Sequence, residues 1–85
     1  MTDRKITILL FSSLRERTGT ERLTVEIPEG GLATESVFDA VAALHPTIEP
    51  YRDYVRFAVN GSYASRTDRV AAGDTVAFIT PVSGG

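Results

Sequence analysis

The residues with the clearest chemical potential are the two glycines that end the chain, Gly84 and Gly85. Glycine has no Cβ, so a Gly-Gly end is the thinnest extended peptide and can enter a channel that other residue pairs would block. The segment 80–85 spans roughly 20 Å when extended, which is enough to leave a domain and enter a partner. We therefore expect residues 80–85 to form a flexible tail whose reactive group is the α-carboxylate of Gly85.

The side chains offer little other covalent chemistry. The chain has no cysteine, which excludes disulfides, thiolate metal sites and a cysteine nucleophile. The single histidine, His45, has no nearby cluster of Asp, Glu or Ser in the sequence, so we predict no metal site and no Ser-His-Asp triad. Its place before Pro46 favours a structural role at a helix end. We expect the protein not to be catalytic alone.

Composition and charge limit the possible partners. A chain of 85 residues with 42% hydrophobic and 24% charged residues is typical of one soluble globular domain. Nine basic and 11 acidic side chains are interleaved and give a net charge of −2, so nothing indicates nucleic-acid binding. No apolar run is long enough for a membrane span or a signal peptide. These features predict a cytoplasmic protein that contacts neither nucleic acid nor membrane.

Alternation of apolar and polar residues predicts the strands, which are residues 5–11, 21–27, 55–59, 62–64 and 75–79. Asn60-Gly61 is a strong signal for a hairpin turn, because a type I′ turn needs positive φ at both positions. Residues 66–72 are polar, and we interpret them as an irregular segment with solvated charges.

Two helices are expected between the strands. Ser13 and Glu16 fit a capping box for a short helix that Gly19 ends. Thr34 is a suitable N-cap for the main helix, residues 34–45. The apolar face of the main helix carries Val37, Phe38, Val41 and Leu44.

This order of elements predicts an α+β fold in which one main helix packs on one face of a mixed four- to five-stranded sheet. The other face of the sheet is then left without a covering layer. Strand parity puts four apolar side chains on that face or at its edge: Leu9, Phe11, Tyr63 and Ile79. They could form a patch that docks a partner, or a minor second core, or be singly exposed.

With its elements placed, the chain resembles the MoaD/ThiS-type family of ubiquitin-like β-grasp sulfur carriers, which includes the small subunit of molybdopterin synthase and the thiamine sulfur carrier. The resemblance lies in residues 8–11, 14–16, 18–19, 58–60, 73–78 and 81–85. Thr80 stands where the family usually has the first proline of a Pro-Pro pair. The resemblance implies a β-grasp domain over residues 1–79, followed by the tail.

The resemblance also implies a reaction cycle at Gly85. A ubiquitin-activating-like adenylyltransferase uses ATP to form a glycyl adenylate, because an ionised carboxylate is a poor acyl electrophile. A sulfur donor then converts the adenylate to a thiocarboxylate, a C-terminal 1-thioglycine. This group donates sulfur to cyclic pyranopterin monophosphate in molybdenum cofactor biosynthesis, and no cofactor is bound by the carrier itself.

The implied main partner is the large subunit of molybdopterin synthase, in a heterotetramer. Its docking surface on this chain would be formed by Phe11, Tyr63 and Ile79. The tail residues that would insert into it are Pro81, Val82, Ser83 and Gly84.

Three alternatives stay open. The carrier could deliver sulfur to thiamine thiazole or to another acceptor. The chain could be a ubiquitin-like modifier joined to protein lysines through Gly85. It could also be an interaction module whose tail is inert.

Overall fold

The computed structural model describes residues 4–81. Within that range the strands are β1 Lys5–Leu10, β2 Arg22–Glu26, β3 Leu32–Ala33, β4 Arg56–Val59, β5 Ser62–Ala64, β6 Arg69–Val70 and β7 Thr75–Ile79. The α-helices are α1 Ser12–Thr18 and α2 Thr34–Leu44, and Pro46–Tyr51 is a 3₁₀ helix. The described residues therefore confirm the order of the five predicted strands and two predicted helices, and they add the short strands β3 and β6.

The described part of the chain forms a five-stranded sheet in the order β2-β1-β7-β4-β5 and a small two-stranded sheet, β3-β6. In the larger sheet β1 and β7 are parallel and the other neighbours are antiparallel. The sheet is mixed, with β7 between β1 and β4. This confirms the predicted α+β class, and it puts the last strand near the centre of the sheet.

The core lies between α2 and one face of the sheet. Three fully or almost fully buried phenylalanines form its centre, namely Phe38 of α2, Phe57 of β4 and Phe78 of β7. The ring centroids of Phe57 and Phe78 are 5.1 Å apart, and those of Phe38 and Phe78 are 5.6 Å apart. Burying each such side chain contributes about 1.5–3 kcal/mol to stability. The alternation in β1 and β7 confirms which face of each strand points inward.

The start of α1 differs from the sequence-based prediction. The N-cap is Phe11, and no side chain caps the helix, so the Ser13–Glu16 capping box is wrong. The amide of Leu14 donates to the carbonyl of Phe11 at 3.0 Å, because the chain turns into the helix directly after β1. The predicted end of the helix is confirmed, since Gly19 is left-handed with φ of 74°.

The main helix α2 also corrects two expectations. Ala33 is its N-cap, and Thr34 is the buried first helical residue, whose hydroxyl donates to the carbonyl of Asp68 at 2.7 Å. Leu44 was expected to face the core but is 61% exposed. The chain leaves the helix there, and the core beyond it is filled by Ile48 of the 3₁₀ helix, which is fully buried.

The segment 66–72 is more ordered than the sequence predicted. Its residues Arg69–Val70 pair with β3, and Val70 is buried. The carbonyl of Arg66 accepts a bond from the amide of Glu35 at 2.9 Å. Interpreting this segment as irregular was wrong, because it pairs with β3 and closes the amino-terminal end of α2, whereas Asp68 and Arg69 are exposed as expected.

The predicted Asn60-Gly61 hairpin is confirmed, with φ of 51° and 89°. The side chain of Asn60 also donates to a carboxylate oxygen of Asp74 at 3.0 Å, and its amide oxygen accepts from the backbone of Thr75 at 2.9 Å. These bonds join the β4–β5 turn to the start of β7. They hold the last strand in register from its first residue.

Candidate functional site

The face of the sheet opposite α2, which we call the outer face, carries one row of side chains across all strands of the larger sheet. The row follows from the register: Leu9 is opposite Arg22 on one side and Ala77 on the other, Ala77 is opposite Ala58, and Ala58 is opposite Tyr63. The side chains in the middle of the row are apolar, and two of the three are alanines, while an arginine lies at one end and an exposed tyrosine at the other. No described element covers it.

Two of the three predicted docking residues, Phe11 and Ile79, lie at the end of the sheet where β1 and β7 finish, and Tyr63 lies on the edge strand β5, level with the middle of β7. Phe11 continues β1 in an extended conformation and is 43% exposed. Tyr63 is 76% exposed, and Ile79 is half-buried opposite Arg56. Phe11 and Ile79 extend the apolar middle of the outer face toward the end of β7, and Tyr63 extends it toward the β5 edge. Partner binding there stays a prediction.

The tail starts at the same end of the sheet. Strand β7 finishes at Ile79, and Thr80 and Pro81 follow it, with Pro81 exposed. A shallow depression beside them is lined by Ser13, Tyr51, Tyr54, Thr80 and Pro81. The other predicted tail residues, Val82, Ser83, Gly84 and Gly85, lie outside the described residues. Strand β7, which ends here, lies between β1 and β4 in the sheet.

The strongest ionic contacts lie on the helix side. Arg52 contacts Asp39 of α2 at 2.6 Å and Glu49 of the 3₁₀ helix at 2.7 Å, and its guanidinium lies 4.8 Å from the centre of the Phe38 ring. The hydrogen bond from Arg52 lowers the pKa of Glu49 below its ordinary value. The two carboxylates raise the pKa of Arg52. This cluster fastens the 3₁₀ helix to α2 and leaves the outer face free.

Other kinds of site have no support in the described residues. Within residues 4–81 no three His, Cys, Asp or Glu side chains come together as metal ligands. His45 ends α2, where its backbone amide donates to Val41 at 2.8 Å. None of the described helices is long and apolar enough to cross a bilayer. The location in the cytoplasm stays a prediction.

Comparison with known proteins identifies the family. The model of the ThiS family matches residues 8–85, which is most of the chain. The chain belongs to the ThiS family. The molybdopterin synthase sulfur carrier subunit of Arabidopsis thaliana is 36% identical over 81 residues, covering 95% of this chain and 83% of that protein. The predicted membership among sulfur carriers is confirmed.

A second relative is named for another role. Small archaeal modifier protein 1 of Haloferax volcanii is 31% identical over 84 residues, covering 89% of this chain and 95% of that protein. A crystal structure of SAMP1 from this archaeon has a TM-score of 0.85 at 29% identity, covering 95% of this chain and 99% of that one. The predicted ubiquitin-like β-grasp fold is therefore confirmed.

A complex of subunits 1 and 2 of molybdopterin-converting factor from Helicobacter pylori contains a further match. Its TM-score is 0.63 at 13% identity, covering 95% of this chain and 99% of that chain. At this identity the likeness shows the fold alone. Relatives of this chain are thus named as sulfur carrier subunits of a synthase, not as enzymes in their own right.

Two arginines that lie near Tyr63, Arg56 and Arg66, were not singled out in the sequence analysis. Arg56 alternates with Phe57 in β4, so strand parity alone would have put it on this face. Arg66 gave no such signal, because its position depends on backbone carbonyls of a segment 11–14 residues away.

Proposed function

We propose that this chain is the sulfur carrier subunit of molybdopterin synthase, with the carboxylate of Gly85 as the carrying group. The proposal is supported by the relatives named for that role and by a family match that continues through residue 85. The single observation that carries it is that β7, the last strand before residues 80–85, lies between β1 and β4 in a sheet whose outer face no described element covers. That arrangement suits a domain held by one surface while its end enters another protein.

The chemistry assigns the catalytic side chains to partners. A carboxylate oxygen of Gly85 attacks ATP on an adenylyltransferase, and pyrophosphate leaves. A sulfur donor at the sulfide level then displaces AMP from the acyl carbon and leaves a thiocarboxylate. That sulfur attacks an electrophilic carbon of the pyranopterin, an oxygen substituent leaves that carbon, and a thioester links the two molecules. Water then cleaves the thioester at the acyl carbon, so the sulfur stays on the pterin and the carboxylate of Gly85 returns. Cyclic pyranopterin monophosphate receives two sulfurs in this way.

The outer face supplies the affinity for the large subunit. Ordering each residue of an extended segment costs about 1–2 kcal/mol of backbone entropy, so the inserted residues 81–84 contribute little net binding energy. Apolar burial of Phe11, Tyr63 and Ile79 against the large subunit offsets that cost. Two carriers and two large subunits then form the heterotetramer.

The test is intact-mass analysis after incubation with the adenylyltransferase, ATP and a sulfur donor. We expect the mass change of one oxygen replaced by one sulfur, located at Gly85 by fragmentation. A matched variant carries one alanine after Gly85, which moves the carboxylate by about 3.5 Å against a tolerance of about 1 Å in a catalytic site. Sulfur transfer by this extended variant at the normal rate would contradict the proposal.

A second function, protein modification, is favoured by the archaeal modifier relative. In that case Gly85 forms amide bonds with lysines, and bands of higher mass persist under reducing denaturation. A thiocarboxylate that gives its sulfur to a pterin produces no such bands.

Delivery of sulfur to thiamine thiazole is tested by deletion of the gene, because the sulfur-free precursor that accumulates identifies the acceptor.

A further inference from the structure

A pocket of about 320 Å³ opens at the end of the β4–β5 hairpin, next to Tyr63. The residues that matter in its lining are Asp53, Tyr54, Arg56, Tyr63, Ser65 and Arg66. Tyr63 also ends the apolar row of the outer face. The lining also includes Phe57 and Ala64 of the inner face, so the pocket lies at the β5 edge of the sheet and adjoins the outer face at Arg56 and Tyr63.

Arg66 is held firmly at this pocket. Its Nη2 donates to the backbone carbonyls of Arg52 at 2.7 Å and Val55 at 3.1 Å, and its guanidinium lies 5.3 Å from the centre of the Phe57 ring. Its Nη1 is buried and has no hydrogen-bond acceptor among the described residues. The three groups that fix the guanidinium are uncharged, so they leave its charge unneutralised.

Arg56 adds a second positive charge at the same place. It is exposed at the start of β4, and it forms no ion pair within residues 4–81. Asp53 is the acidic residue in the lining, so two arginines and one aspartate border the pocket. The pocket is locally positive although the whole chain has a net charge of −2.

We infer that this pocket receives a carboxylate side chain, Asp or Glu, from the protein that docks on the outer face. A planar guanidinium binds a carboxylate through two parallel hydrogen bonds, which suits the exposed Arg56, while Arg66 supplies fixed positive charge behind it. This inference rests on the proposed docking, and it specifies the type of partner side chain that lies at the edge of the docking surface.

A protein carboxylate fits better than a free small anion. An ion pair in an open, hydrated pocket contributes little, about 0–1 kcal/mol at most exposed sites. A partner that covers Tyr63 and the apolar row would exclude water from the adjoining pocket, and a charge pair at a buried margin gains strength and selectivity. The docked partner therefore supplies both the carboxylate and the dry surroundings.

The test compares Arg56→Glu with Arg4→Glu in binding to the large synthase subunit of the same organism, measured by calorimetry at low and high salt. Arg4 is an exposed arginine that precedes β1, at the end of the sheet away from the tail. We expect Arg56→Glu to weaken binding by about 30-fold or more and to reduce its salt dependence. Arg4→Glu is expected to change the affinity by less than about threefold, since exposed charges at a distance are screened by salt.

A charge exchange identifies the partner group. Acidic residues on the large subunit are changed one at a time to Arg, and one of these variants is expected to restore the affinity of the Arg56→Glu chain. Equal affinity of Arg56→Glu and the unmodified chain overturns the inference while the docking proposal stands. Absence of any complex with the unmodified chain overturns both. Should Arg56→Glu not fold by circular dichroism, Arg56→Gln is measured against the same thresholds for loss of binding.

Discussion

Tyr63 is the most exposed large apolar side chain in the described part of the chain, at 76% exposure, so replacing it tests docking with little effect on folding. A buried tyrosine covers about 200 Å². With 76% exposed, about 150 Å² are available to a partner, worth at most about 4 kcal/mol at about 25 cal/mol per Å². Part of that surface is polar, and truncation of a tyrosine that is an interface hot spot costs about 2 kcal/mol or more.

We therefore expect Tyr63→Ala to weaken binding of the large subunit by roughly 30-fold. The matched control is Leu44→Ala, an apolar side chain 61% exposed at the end of α2, on the other layer of the fold. Calorimetric titration of both variants, with thermal unfolding to check the fold, is the assay. Equal dissociation constants for Tyr63→Ala and Leu44→Ala would refute the assignment of the outer face as the docking surface.

Two further predictions concern stability. Gly31→Ala is expected to lower the melting temperature by at least about 5 °C, since positive φ costs about 1–3 kcal/mol and its new Cβ would lie 2.4 Å from the carbonyl oxygen of Val70. Gly30 also has positive φ but has open space around it. A larger drop in melting temperature for Gly30→Ala than for Gly31→Ala would therefore contradict this prediction. For Glu49, whose folded pKa is lowered by Arg52, the pair's stabilisation is full above the ordinary glutamate pKa of about 4.3 and lost as pH falls through the lowered value. We therefore expect Glu49→Gln to have a lower melting temperature than the unmodified chain near neutral pH, and we expect this difference to vanish in acid. A difference in melting temperature that does not depend on pH would contradict the role given to the Glu49–Arg52 pair.

Most of the larger sheet could be predicted from sequence because its signals are local. The alternation in Lys5–Leu10 and Thr75–Ile79 determines which residues face the core, and Asn60-Gly61 determines a turn. Strands β3 and β6 were missed because each has two residues, too few for any periodicity to be read. Their pairing joins positions 32–33 to 69–70, which no local pattern reports.

The candidate site divides in the same way. Parity alone placed Leu9, Tyr63 and Ile79 on the outer face, since each belongs to a regular strand. Leu44 was misplaced because helical periodicity continues past the point where the core passes to the 3₁₀ helix. The pocket at Arg66 was missed because a half-buried arginine among polar neighbours has the same sequence pattern as a solvated one.

The most direct test of the sulfur-carrier account is the intact mass of the protein isolated from its own cells while they make the pterin. If Gly85 carries the sulfur, a fraction of chains ends at Gly85 with one oxygen replaced by sulfur, and this fraction is lost when the adenylyltransferase gene is deleted. Chains that continue beyond Gly85, or that never carry the sulfur atom in such cells, would contradict it.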